Sequence, residues 1–227
     1  MRQLPEGISS ATWTDMARAY LWSARHFSDL AGEQEQTGGI GANTELYRRH
    51  RSYVVAAILS STTYLESTIN EIYADCSEEG ASWHLLESSP THRKIIGSLW
   101  CDEIRRLPTL RKYQLALRSG SLAEFDEGQA PYSDAALQVR LRNALVHYEP
   151  DWVYTERSDG TPLQQDQMHK WERALRAKFD LNPLAGEKYP FWPERCLSAG
   201  CARWSTMAVD RFVGDFRDRI GSIAHRT

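Results

Sequence analysis

An arginine, an amide and a histidine occur close together in the segment RLRNALVHYEP, which covers residues 140–150. Arginine binds phosphate oxygens through a planar, permanently charged fork, and histidine exchanges protons near neutral pH. Arg142, Asn143 and His147 are therefore candidate catalytic residues that would suffice to cut a phosphodiester without a metal. The spacing alone has low specificity, because Arg140 also precedes His147, by seven residues.

A largely buried helix over residues 133–148 is predicted to position these side chains. Ser133 is a favourable N-cap, and apolar residues recur through the segment. Pro150 disfavours helical geometry at the residue before it, so His147 falls in the last turn of the predicted helix. Arg142 lies about 7.5 Å along the axis and about 140° around it from the histidine. We therefore expect both side chains to reach one solvent-accessible groove if Arg142 bends toward the helix end, or if a second copy completes the site.

The remaining elements are predicted to be helical as well, so the expected fold class is an all-α, up-and-down helical bundle with extra helices at the termini. Hydrophobic periodicity and Pro or Gly breaks predict helices over 11–31, 45–76, 91–105, 109–119, 163–178 and 196–222. Residues 151–162 fit a small hairpin or an irregular turn. We expect a single domain, in which an N-terminal helix and loop (1–44) pack on a core formed by 45–227.

Composition limits the classes of protein that this chain fits. The net charge of −3 argues against a general nucleic-acid coat, and no apolar run approaches the roughly 20 residues that a membrane span needs. The first ten residues lack the apolar core of a secretion signal, which predicts a cytoplasmic protein without membrane attachment. The four cysteines lack zinc-ligand spacing and are expected to be buried thiols. We expect no metal and no cofactor, and the other histidines receive no role.

Two further groups of polar residues are candidates for supporting roles. Residues 91–120 contain seven Lys or Arg against two acids. This excess is either a solvated helix surface or an RNA-binding patch, whose candidate residues are Arg105, Arg106, Arg111 and Lys112, with Arg140 on the motif helix. Glu66 and Asn70 lie four residues apart on one helix face, where they would hold His147 or Arg142 in place or form a structural polar network. Trp192 and Trp204 are expected to pack in the core, with base stacking as the alternative.

The segment RNALVHYEP resembles the Arg-x(4–6)-His signature of the HEPN superfamily of small helical proteins. The segments 56–73, 110–117 and 191–216 are also similar, so the resemblance covers roughly residues 45 to 220. It implies a homodimer with two facing Arg–His motifs, and in many members metal-independent endoribonuclease activity. In one toxin branch a partner nucleotidyltransferase modifies a tyrosine two places after the histidine. Here Tyr148 follows His147 directly, which departs from that pattern.

Two hypotheses follow for the function. The first is a HEPN-like metal-independent endoribonuclease, in which His147 transfers protons, Arg142 neutralises phosphorane charge and Asn143 orients the group. Such an enzyme would serve a toxin–antitoxin, phage-defence or stress system, with an antitoxin or nucleotidyltransferase as a further partner. The second is a non-catalytic helical dimer that binds RNA or a nucleotide, or acts as a protein-interaction module. Products with 2′,3′-cyclic phosphate ends distinguish the first from the second.

Overall fold

The computed structural model describes residues 15–38, 44–78, 89–150, 152 and 169–221. Within these ranges the chain forms helices and no β-strand, which confirms the predicted all-α class. The helices are α1 (Ala17–Thr37), α2 (Thr44–Ser77), α3 (Pro90–Ser98), α4 (Asp102–Arg105), α5 (Thr109–Ser119), α6 (Tyr132–Val146), α7 (Lys170–Leu175) and α8 (Ala199–Gly221), with a short π-type turn at Phe191–Arg195 before α8.

Several predicted boundaries differ from those observed. The first helix, predicted to end at residue 31, continues to Thr37, so Gly32 lies inside α1. A Cβ at this glycine would come within 3.2 Å of the Arg203 guanidinium. The helix predicted over 91–105 is interrupted after Ser98, and the motif helix begins at Tyr132, so Ser133 is not its cap. Two predicted elements lie wholly or partly outside the described residues. They are the possible hairpin at 151–162, of which only Trp152 is described, and the first residues of the helix predicted over 163–178.

The chain divides into two compact units. The described residues of the first unit are 15–20, 63–78, 89–136 and 209–221, and those of the second unit are 21–38, 44–62, 137–150, 152 and 169–208. Four helices, α1, α2, α6 and α8, pass from one unit into the other along the chain.

In the first unit, the core is built around Tyr113 on α5. Its ring makes edge contacts with Phe212 and Phe216 of α8, at centroid distances of 4.9 and 4.7 Å. Its hydroxyl donates a hydrogen bond to the Leu65 carbonyl of α2 at 2.8 Å, which satisfies the buried polar atom. These contacts explain why α5, despite its basic residues, is fixed along one buried face.

In the second unit, the core contains Val54, Ile58, Leu141, Trp171 and Trp192, together with buried residues from the first turn of α8. The second-unit part of α6 is also fixed by the buried amide of Gln138. This amide accepts a hydrogen bond from the Thr62 hydroxyl at 2.9 Å and donates to the Ile58 carbonyl at 3.0 Å. Apolar burial and this amide together set the position of the helix end that carries His147.

Candidate functional site

His147 lies immediately after the last residue of α6 and is exposed. Its backbone N–H donates to the Asn143 carbonyl at 2.9 Å, which completes the last turn of the helix. The helix stops two residues before the predicted position at Tyr148, and Tyr148, Glu149 and Pro150 follow without regular structure. The motif histidine is thus presented at a helix end, as the sequence predicts.

A cavity of about 390 Å³ lies beside this helix end in the second unit. Its described lining comes from the end of α6, the start of α7 and the π-type turn: Ala144, His147, Tyr148, Glu149, Pro150, His169, Lys170, Trp171 and Trp192. Two histidines, one lysine and one glutamate therefore line one space together with aromatic residues. Such a lining suits a ligand that has both a charged part and an apolar part.

The start of α7 provides part of this lining and is held by two contacts. The imidazole Nδ1 of His169 accepts a hydrogen bond from the Trp171 N–H at 3.3 Å and thereby caps the helix. The Trp171 ring lies 5.3 Å from that of Trp192, and both are buried in the core of the unit. Trp192 packs in the core as expected and also lines the cavity. Trp204 packs against Phe179.

The sequence assigned no role to His169 or Lys170. They are separated from the motif by more than twenty residues, and no ligand spacing links them to His147. A histidine is also not among the usual N-cap residues, so its position before a helix carries no recognisable signal. Only the fold brings these side chains to the cavity.

The other predicted residues of the motif helix are placed differently from His147. Arg142 is half-buried and is not among the residues that line the cavity. Asn143 and Arg140 are exposed outside the lining, whereas Tyr148, 48% exposed, is part of it. The motif arginine is therefore not part of the described lining of the cavity that His147 lines.

Glu66 and Asn70 surround a buried ammonium group in the first unit. The Nζ of Lys112 donates to Asn70 Oδ1 at 2.8 Å, and only 1% of Lys112 is exposed. Burial lowers the pKa of Lys112, and the Glu66 carboxylate opposes this shift to a smaller extent. The structure thus gives Asn70 a partner in α5, which fits the polar-network alternative, and Lys112 does not present its charge at the surface as an RNA-binding residue would.

The remaining basic candidates of the first unit are exposed, and two of them contact acids. Arg105 lies 3.5 Å from Asp102 and stacks over the Trp100 ring, while Arg111 lies 3.1 Å from Glu127. Arg106 is exposed as well. The contact with Glu127, which lies outside residues 91–120, offsets one of these positive charges, so the segment resembles a solvated helix surface more than the sequence indicates.

In the part of the chain that the structure describes, no group of three His, Cys, Asp or Glu side chains is arranged to hold a metal ion. No described helix combines the length and the apolar character that crossing a membrane requires. The four cysteines are free thiols; Cys196 and Cys201 are buried, as expected, but Cys101 is exposed.

Comparison of the chain with known proteins found no matching family model, no matching curated protein and no matching solved structure. The resemblance to the HEPN superfamily therefore rests on the motif residues and the similar segments alone.

Proposed function

We propose that this protein is a metal-independent endoribonuclease of the HEPN type, with His147 as its proton-transfer residue. The observation that carries the proposal is the cavity at the end of α6, where the exposed motif histidine lies with Lys170 and two tryptophans. Its volume of about 390 Å³ falls in the range typical of small-molecule sites. The lining offers what a nucleotide requires, namely a cation for the phosphate and apolar surface for the base.

The reaction would proceed by attack of the ribose 2′-oxygen on the adjacent phosphorus. His147 would take the proton of the 2′-hydroxyl, or return a proton to the leaving 5′-oxygen. A new bond joins the 2′-oxygen to phosphorus while the bond from phosphorus to the 5′-oxygen breaks. The products are a 2′,3′-cyclic phosphate and a 5′-hydroxyl, and no change of oxidation state is involved.

Arg142 and Asn143 complete the proposed site through a second copy of the chain. Arg142 would neutralise the charge that develops on the phosphorane oxygens, and Asn143 would orient the scissile group. Because Arg142 does not line the cavity of its own chain, a two-fold homodimer is part of the proposal. The proposal also includes RNA as the partner and a cytoplasmic location. It further includes a role in toxin–antitoxin or defence systems, with an antitoxin or a nucleotidyltransferase as a partner.

The experiment incubates the full chain with a panel of RNAs in EDTA and determines the chemistry of the 3′ ends. We expect cyclic phosphate ends, and a rate about 10²–10⁴-fold lower for His147→Ala. His26→Ala is the matched control, because His26 is an exposed histidine of the same unit that stacks on Trp22 outside the cavity. Intact RNA across the panel would reject the nuclease, and cleavage that survives His147→Ala would reject the site.

The second candidate function is binding of RNA or a nucleotide without turnover. The position of Arg142 outside the cavity lining favours it, since a cleavage site needs the charge of this residue close to the phosphate. It predicts RNA binding that is unaffected by EDTA and releases no cyclic phosphate. Light scattering at tens of micromolar protein tests the dimer in both cases.

A further inference from the structure

The chain segment that follows α6 runs along the cavity. Its four consecutive residues 147–150 all belong to the described lining, and His147 and Glu149 are both exposed. Glu149 is the only acidic residue of that described lining. A histidine and a glutamate two residues apart therefore border the same space, in which the proposed function places the phosphodiester.

Within the described part of the chain, the side chains of His147 and Glu149 make no hydrogen bond and no ion pair. His169, the other histidine of the lining, differs from them, because its Nδ1 accepts a hydrogen bond from the Trp171 N–H at 3.3 Å. His147 and Glu149 can thus exchange protons with a substrate without first breaking a contact between described residues.

A carboxyl group and an imidazole together provide the base and the acid that this cleavage reaction uses. A carboxylic acid loses its proton at lower pH than an imidazolium does, so over the intervening pH range the carboxylate accepts a proton and the imidazolium donates one. The other titratable residues of the described lining are Tyr148, His169 and Lys170. The positive charge of Lys170 offsets the repulsion between a carboxylate and a phosphodiester in the same space.

We propose that Glu149 is the general base of the reaction and that His147 is its general acid. Glu149 takes the proton of the 2′-hydroxyl while the 2′-oxygen bonds to phosphorus, and His147 gives a proton to the 5′-oxygen while its bond to phosphorus breaks. Proton exchange with water then restores both side chains. The inference rests on the proposed function, because it assigns the second proton-transfer residue of the same site. One chain supplies both groups, so proton transfer needs no histidine from a second copy.

A substrate whose leaving group needs no proton separates the two roles. We would use an oligoribonucleotide in which sulfur replaces the 5′-bridging oxygen of one phosphodiester, because a thiolate leaves without help from an acid. Glu149→Gln keeps the shape of the side chain and removes the proton acceptor, whereas His147→Ala removes the proton donor. The control is Glu187→Gln, since Glu187 is an exposed glutamate of the same unit outside the described lining.

On all-oxygen RNA, we expect Glu149→Gln and His147→Ala each to lower the rate about 10²–10⁴-fold, as loss of a general acid or base does. On the sulfur substrate, His147→Ala should cleave within about tenfold of the wild-type rate, while Glu149→Gln stays slow. The fall of kcat/KM at low pH, where the base is protonated, should disappear in Glu149→Gln. Glu149→Asp should regain part of the rate, and Glu187→Gln should match the wild type.

A wild-type rate for Glu149→Gln on all-oxygen RNA would overturn the inference. Recovery of Glu149→Gln by the sulfur substrate, in place of His147→Ala, would also overturn it, because the two roles would then be reversed. A slow Glu149→Gln protein that keeps the fall of kcat/KM at low pH would show that the carboxylate only shapes the cavity. Failure of the nuclease proposal is recognised separately, because the wild type itself would then leave all-oxygen RNA intact.

Discussion

Replacement of Gln138 by Met tests how the helix that presents His147 is held in place. Gln138 is fully buried on α6, and its amide joins the helix to Thr62 and Ile58 through bonds of 2.9 and 3.0 Å. Methionine has a similar length and fills the same space, so the substitution removes the two hydrogen bonds and leaves no large cavity. The change in stability then reports on the polar contacts rather than on packing.

The magnitude follows from the groups that remain. Each hydrogen bond contributes about 1 kcal/mol net. The Thr62 hydroxyl keeps its contact with the Ile58 carbonyl at 3.4 Å, so it is not left without a partner and adds little further cost. We expect Gln138→Met to lower the free energy of unfolding by about 2 kcal/mol. With a urea m-value of about 3 kcal/mol/M, the midpoint would fall by about 0.7 M.

The assay is urea unfolding followed by circular dichroism, with Gln36→Met as the control. Gln36 is an exposed glutamine of α1 in the same unit, and its replacement should leave the midpoint unchanged. A cycle with Thr62→Val adds a second measurement: the double variant should lose about 1 kcal/mol less than the sum of the single variants. Equal midpoints for Gln138→Met and the wild type, or strictly additive losses, would refute the assignment of this amide as a structural link.

Three further predictions concern the first unit. Gly97→Ala should lower the free energy of unfolding by at least about 2 kcal/mol, because the new Cβ would lie 2.0 Å from the Cys76 carbonyl oxygen. The control Gly214→Ala places its Cβ with no atom within 4 Å and should be neutral or stabilising. Equal Tm values for the two variants would contradict this prediction. Burial lowers the pKa of His92, so the unfolded chain takes up a proton first and the stability falls as the pH drops below about 6.5. This loss of stability should be smaller in His92→Gln. Parallel curves of Tm against pH for the variant and the wild type would refute the prediction. A thiol reagent at pH 8 should modify the exposed Cys101 before Cys76, because burial raises the pKa of Cys76 to about 11. Mass spectrometry of the labelled protein measures the order, and labelling of Cys76 first would contradict the prediction.

The helices whose limits depend on local signals were predicted closely. The helix predicted over 45–76 is observed as Thr44–Ser77, and the one predicted over 109–119 has the predicted limits. Both follow from hydrophobic periodicity, and the second begins directly after Pro108. Gly32 shows the limit of such signals. It resembles a helix stop in the sequence, but it lies inside α1, where the lack of a side chain allows the close approach of Arg203. Whether a glycine ends a helix or admits a neighbour depends on residues distant in sequence.

The exposure of His147 follows from the sequence for the same local reason. Pro150 and the apolar pattern before it place the histidine at a helix end, where its side chain is accessible. The role of the motif arginine did not follow, because a spacing of five residues sets the rise and rotation along a helix but not which neighbours cover the side chain. In the structure Arg142 is half-buried and outside the lining of the cavity.

Only the tertiary structure decided which charges are available to a ligand. Lys112 belongs to a basic segment in the sequence, yet its ammonium group is buried and donates to Asn70, 42 residues earlier in the chain. His169 and Lys170 carry no motif, yet they line the same cavity as His147. Residue type and spacing determine the chemistry that a side chain is capable of and the helix that carries it. Contacts between segments far apart in the chain decide whether that side chain is buried in the core or reaches a ligand.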